Sequence, residues 1–317
     1  MNAKRILVWA LRIILLTILY IPIWGLGSMV VAGLIPDKPT EPGLVDGIIG
    51  MLILSIINTI LIVSLIVSSR WRGWRLPLLL ALAYYGSFTF ITQLETWYFL
   101  TGITVSPELL AGLFIMGISV PFLFIPLAIL ICARWKAVRI DKENTNMVMP
   151  KGQFILKLGI IAAVYLVIYW CAGYYIAWQN PELRAFYGSP GEIMPFWEHT
   201  FTTSRNAPDL IILQLVRGLL FAVIAIPVIR GSNVKPWLTA VLVGLLLSIP
   251  HLGHILPNPL MPIASVRFSH MIETASSTFL FGLIIVWLLH RRHHGVKDLL
   301  ELKDLKVQRK KENVKIS

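Results

Sequence analysis

Residues 44–68 read LVDGIIGMLILSIINTILIVSLIVS, and this stretch decides the fold. From Gly47 to Ser69 no side chain carries a formal charge. A helix rises about 1.5 Å per residue, so some 20 apolar residues cross a hydrocarbon core about 30 Å thick. Only helices and closed barrels satisfy every backbone group in lipid. Barrel strands alternate apolar and polar residues over about ten positions. This stretch does not alternate, so it reads as a spanning helix.

The same signature recurs outward in both directions. Helices are expected at 6–33, 44–68, 76–100, 109–133, 154–178, 210–229, 236–255 and 268–289. The 317-residue chain is 56% hydrophobic and 14% charged, against about 25% charged in a soluble domain. The expected fold is all-α: a polytopic transmembrane bundle of about eight helices with N- and C-termini cytoplasmic. One transmembrane domain covers 1–295, with an extracytoplasmic loop at 179–209. A basic cytoplasmic tail covers 296–317. The first run is about twice a signal-peptide core in length and contains Trp9 and Arg12, so it reads as a retained helix.

With the N-terminus inside, 23 of the 28 Lys and Arg residues fall on cytoplasmic segments. Only Lys38, Arg184, Arg205 and Arg267 fall opposite, and Arg217 lies within a helix. Each inside loop is more basic than its outside neighbours, which supports both the helix number and the orientation. The net charge of +12 therefore marks contact with membrane lipids, with anionic headgroups at the cytoplasmic face, and not with nucleic acid. The expected location is a bacterial inner (plasma) membrane. The two cysteines, Cys132 and Cys171, lie in apolar runs and form no disulfide framework. Most of the 11 tryptophans fall at expected interfaces. The loop at 179–209 reads as a connector with aromatic anchors, a lid being the alternative. The inside loop 134–153 reads as polar and mobile.

Ionisable side chains inside a membrane are costly, and they mark candidate sites. Here they gather toward one side: Gln93 and Glu95 on helix 3, Gln214 and Arg217 on helix 6, His251 and His254 on helix 7, and Arg267, His270 and Glu273 on helix 8. His251 with His254, and His270 with Glu273, are spaced to share a helix face. His251, His254, His270 and Glu273 are thus candidate metal ligands, and a divalent metal such as zinc is the cofactor such a set would suit. Pro250 is expected to bend or open the helix beside His251. The structural alternative pairs Glu95 with Arg217 and His270 with Glu273, while His254 and Arg267 serve as interfacial residues.

The stretches WQNPELRAFYGSPG (178–191), LVRGLLFAVIAIPVIRG (215–231) and LPNPLMPIASVRFSHMIETASSTFLFG (256–282) resemble an uncharacterised family of bacterial integral membrane proteins. That resemblance implies a bacterial multi-pass protein and no activity. The segment from Arg217 through Pro236 to His251 resembles the CAAX-protease and bacteriocin-processing membrane family. Arg217 and His251 match motif residues of that family, and His270 stands near its third motif. Ile212 and Leu213 stand where the family has its glutamates, Leu247 replaces a phenylalanine and Thr274 an Asn or Asp. Proteolysis is therefore not implied.

Two functions are expected from the residues. In the first, a metal-dependent membrane-embedded hydrolase or transferase uses Glu95 as general base, Arg217 to stabilise negative charge, and a metal on the His/Glu set to activate water. In the second, a transporter, sensor or complex subunit uses the same residues structurally or to bind a solute.

Overall fold

The computed structural model describes residues 3–136, 144–295 and 298. Among them, eight helices are long and apolar enough to cross a membrane. We label them α1 (Ala3–Ser28), α2 (Gly47–Ser68), α3 (Arg75–Leu100), α4 (Pro107–Ile131), α5 (Lys151–Ala177), α6 (Pro208–Gly231), α7 (Pro236–Ile255) and α8 (Ala264–Leu289). No strand is present among the described residues. The expected tail from 296 onward lies, apart from Asp298, outside them.

Local chemistry sets the helix ends. Asp46 caps α2, its Oδ1 accepting from Ile48 N at 2.9 Å, so the helix begins at Gly47 and not at 44. Ser106 caps α4 by accepting from Leu109 N at 3.2 Å, and Pro107 takes the first helical position. The first helix ends at Ser28, and residues 29–34 continue as turns.

Backbone hydrogen bonds fix which loops share an end of the bundle. At one end, Glu41 N donates to Pro262 O at 3.0 Å and Leu44 N to Ile255 O at 2.9 Å, while Thr104 Oγ1 donates to Leu260 O at 2.8 Å. At the other, Arg70 N donates to Gly231 O, Gly73 N to Trp135 O, and Met147 N to His290 O. The segment around Asn144 and Asn146, expected to be mobile, is tied to the α6 end. Asn146 Nδ2 donates to Ile229 O and Ser232 O at 2.9 Å each.

α2, α3, α6 and α8 are the most buried of the eight spans. Along α7 and α8 the backbones nearly touch: a Cβ on Gly282 would lie 2.6 Å from Gly244 Cα. Gly27, Gly50, Gly112 and Gly117 also abut neighbouring segments, whereas Gly25 and Gly47 face open space. The outer helices show their apolar sides; α1 exposes Leu7, Leu11, Ile14 and Ile18. In lipid that face is solvated by acyl chains, and it needs no protein cover.

Loop 179–209 is more than a connector. It folds into two short helices, Pro181–Phe186 and Phe196–Asn206. Arg184 gathers the loop by donating to the carbonyls of Trp178, Gln179 and Gly191. Asn180 Nδ2 donates to Ser269 Oγ of α8 at 2.9 Å, and Tyr174 OH to Met194 O at 2.7 Å. The result is a cap over the bundle end.

Candidate functional site

The polar residues of α3, α6, α7 and α8 meet beneath this cap. Their positions follow from breaks in regular helix. A π-turn at Gly86–Phe90 adds a residue to the turn before Gln93 and Glu95. Past Ser248, α7 tightens into a 3-10 turn over Ile249–Ile255, with Pro250 near its start. Three residues per turn then bring His251 and His254 onto one side. α8 is regular at this level, so His270 and Glu273 are neighbours one turn apart.

Glu95 and His270 form the centre. Glu95 Oε2 accepts from Arg217 Nη2 at 2.7 Å, and Glu95 Oε1 faces His270 Nε2 at 3.9 Å. Glu273 Oε2 lies 3.1 Å from His270 Nδ1. Each member of the central pair is therefore braced from behind, one by a guanidinium and one by a carboxylate. The 3.9 Å gap is too long for a hydrogen bond. A hydroxyl group or water lodged there would meet both side chains.

Arg217 itself is buried. Its Nη1 donates to Gln214 Oε1 at 2.9 Å, and its Cζ lies 5.7 Å from the centre of the Tyr165 ring and 6.0 Å from that of Phe221. It lines neither of the cavities described next. Both of its terminal nitrogens are engaged, so it holds Glu95 in place and does not present a free cation to a ligand. That departs from the expectation of direct charge stabilisation by Arg217.

Two cavities flank the pair. The first, of about 500 Å3, lies among α1, α2, α3, α4 and α7, and it includes His251 and His254 in its wall. The second, of about 660 Å3, lies among α3, α5, α6, α8 and the cap, and it includes Glu273. They share Glu95, Phe99, Tyr187 and His270. The expected metal set is thereby divided. His251 and His254 open on the first cavity, Glu273 only on the second, and both nitrogens of His270 face carboxylates. The His254 and His270 rings meet edge to face at 5.3 Å. Among the described residues no three His, Cys, Asp or Glu side chains converge to hold a metal ion.

Arg267, seen from the sequence at the same depth, turns away from the site. Its Nη1 donates to the carbonyls of Met261 and Pro262, and its Nη2 to those of Glu41 and Pro42, at 2.7–2.9 Å. It is a latch between two loops.

Several site residues carry no spacing signal in the sequence. Tyr187 of the cap and Phe99 of α3 stand where the cavities join, their rings 6.0 Å apart. Burial, and behind it the charges of Glu95 and Glu273, keep the Tyr187 phenol above its ordinary range, so it stays an uncharged donor. Burial also lowers the pKa of His199, in the wall of the second cavity. Deeper in the bundle, Tyr84 OH donates to Asn58 Oδ1 at 2.7 Å and meets Tyr20 OH at 3.2 Å. This buried polar chain joins α1, α2 and α3. The first cavity reaches Tyr20 and Asn58.

No protein-family model, curated protein or solved structure matches this chain.

Proposed function

We propose that this chain is a membrane-embedded hydrolase or transferase whose acid–base group is His270, working opposite Glu95. The observation that carries the reading is the braced pair at the junction of two cavities. Glu273 accepts the Nδ1 proton and leaves the Nε2 lone pair directed at the gap. A water or substrate hydroxyl in the gap gives its proton to Nε2 as its oxygen bonds to an acyl carbon. The same proton then passes to the departing oxygen or nitrogen as the old bond to that carbon breaks. Glu95, fixed by Arg217, accepts a second hydrogen bond from the attacking water and orients it. Arg217 and Glu273 are positioning residues.

The reading places the site near the extracytoplasmic face of a bacterial inner membrane, with both termini cytoplasmic. Its support is charge: Arg70, Arg72, Arg134, Lys136, Arg291 and Arg292 all lie at the bundle end opposite the cap. The same end would rest on anionic lipid headgroups.

The test is reconstitution into vesicles of a bacterial total lipid extract, neutral lipids included, with lipid and headgroup products followed by mass spectrometry. Wild-type protein is expected to generate a cleaved or transferred product, and Glu95→Gln and His270→Gln to lose it while remaining folded. Undiminished product from either variant, or none from the wild type, refutes the reading.

A second reading, a module that binds a solute without converting it, is favoured by one feature. Gln93 Oε1 and His254 Nδ1 are buried without hydrogen-bond partners, and their residues line the first cavity. Binding of a solute there, undiminished by Glu95→Gln and without any product, would establish it.

A further inference from the structure

The cap helix Phe196–Asn206 faces two ways. At about 100° per residue, His199, Thr202, Thr203 and Asn206 fall on one stripe of it, and all four line the second cavity. Trp197 and Phe201, one turn apart, fall roughly opposite that stripe. Their exposures are 69% and 72%. None of the residues of this helix is buried within the protein. It therefore turns a polar side inward and two large rings outward, the reverse of a helix whose outer face meets water.

The neighbours of this helix set its level. Phe196, its first residue, stacks on Tyr175 with ring centres 5.2 Å apart and planes 19° apart. Tyr175 lies in the last turn of α5 and is itself exposed. Trp97, in the last turn of α3 at the same end of the bundle, is exposed as well. Exposed aromatic side chains in the last turn of a span sit where acyl chains meet headgroups. The Tyr175–Phe196 stack carries that level across to the cap helix. Trp170 Nε1 donates to Thr200 Oγ1 at 3.0 Å and keeps the helix beside α5. The lipid-facing surface of α5 and the outer face of the cap helix are thus continuous.

We propose that the helix Phe196–Asn206 is an in-plane membrane anchor. Trp197 and Phe201 enter the headgroup–acyl boundary of the leaflet on the cap side. The bilayer then covers the two rings that the protein leaves bare, and it holds the polar stripe over the second cavity. The membrane is in this way an outer support of one cavity wall. The inference assumes no chemistry at Glu95 and His270, and it stands whether that pair converts a substrate or a solute merely binds beside it.

The experiment uses the full-length chain in nanodiscs, with Cys132 and Cys171 replaced by alanine and one nitroxide-labelled cysteine introduced. Power saturation against oxygen and a nickel chelate reads the depth of the label. Labels at Trp197→Cys and Phe201→Cys are expected about 5–10 Å into the headgroup–acyl boundary, and a label at Lys38→Cys, in the loop between α1 and α2, in water. Nickel exposure at Trp197 and Phe201 equal to that at Lys38 overturns the proposal. Shielding from both reagents, with spin–spin broadening that vanishes on dilution by unlabelled chain, gives the face to a second copy and overturns it too. Hydrogen exchange tests the holding role. In the double variant Trp197→Ser, Phe201→Ser, amides 199–206 should exchange at least about tenfold faster than in the wild type. Peptides of α8, expected to be unchanged, report that the bundle is intact. Unchanged exchange at 199–206 overturns the bilayer's part in supporting the wall.

Discussion

Replacing Arg217 by methionine removes the cation that braces Glu95 and keeps most of the side-chain bulk. The pair is short, at 2.7 Å, with side-chain exposures of 2% for Arg217 and 13% for Glu95. Breaking a buried ion pair from one side costs about 3–5 kcal/mol, because the remaining charge is stranded. Glu95 opens on two cavities that can admit water, which places the cost near the lower figure. Loss of the contacts with Tyr165 and Phe221 adds about 0.5–1 kcal/mol. The expected destabilisation is therefore about 4 kcal/mol, read from unfolding in mixed detergent micelles. Glu95→Gln alone should cost a comparable amount by stranding the guanidinium. The double variant should cost clearly less than the sum of the two, with a coupling energy of about 2 kcal/mol or more. A loss below about 1 kcal/mol for Arg217→Met, or strict additivity in the double variant, would refute the bracing argument.

Three further outcomes are expected. Arg267→Met unlatches residues 36–46 from the 256–263 turn. Four charge-assisted bonds are lost, each worth about 1.5–3 kcal/mol before water replaces it, so limited proteolysis within 36–46 should accelerate at least tenfold, equivalent to about 1.4 kcal/mol. Unchanged cleavage would show that other contacts hold the loop. Gly282→Ala forces α7 and α8 apart and should cost about 1–3 kcal/mol. Gly159→Ala, placed in open space on α5, should stabilise by about 0.5–1 kcal/mol; equal signs in the two melts would contradict the packing. His293 lies beyond α8 with its pKa lowered to about 4 by burial, then by Lys157 and Arg291. The folded state disfavours its proton. Its stabilisation is therefore complete above the unfolded value near 6.5 and is lost as pH falls toward 4. His293→Gln should flatten that part of the stability profile, and an unchanged slope would assign the loss elsewhere.

How much of this was legible in the sequence depends on the range of the interaction. The eight spans follow from apolar length alone, because lipid leaves the backbone no alternative. His270 with Glu273 is a one-turn pair and can be read from spacing. Glu95 with Arg217 can be guessed, since a membrane leaves few partners for a buried charge. The convergence of His251 and His254 with Glu273 fails for a reason that spacing does not encode. Sharing a helix face says nothing about which of two cavities that face meets. Arg267 looks identical in sequence to an interfacial anchor, because its partners are backbone carbonyls of Glu41, Pro42, Met261 and Pro262, and any residue supplies those. Tyr20, Tyr84 and Asn58 are hidden for a related reason. Each is one polar atom on a largely apolar stretch, and only the packing of three helices joins them. The cap is legible as an aromatic loop, but its closure depends on Arg184 collecting carbonyls within it.

α8 supplies the imidazole, its carboxylate partner and the latching guanidinium, and it is the last of the eight spans to leave the ribosome. Before it inserts, Glu95 and Arg217 already have each other, so the earlier spans can rest in lipid with their charges neutralised. The His270 imidazole then joins Glu95 as α8 inserts, and Arg267 of the same helix clips the loop ahead of α2 in the same movement. Assembly in that order leaves the polar cluster incomplete until α8 is seated, so removing this one helix would take His270, Glu273 and the Arg267 latch together.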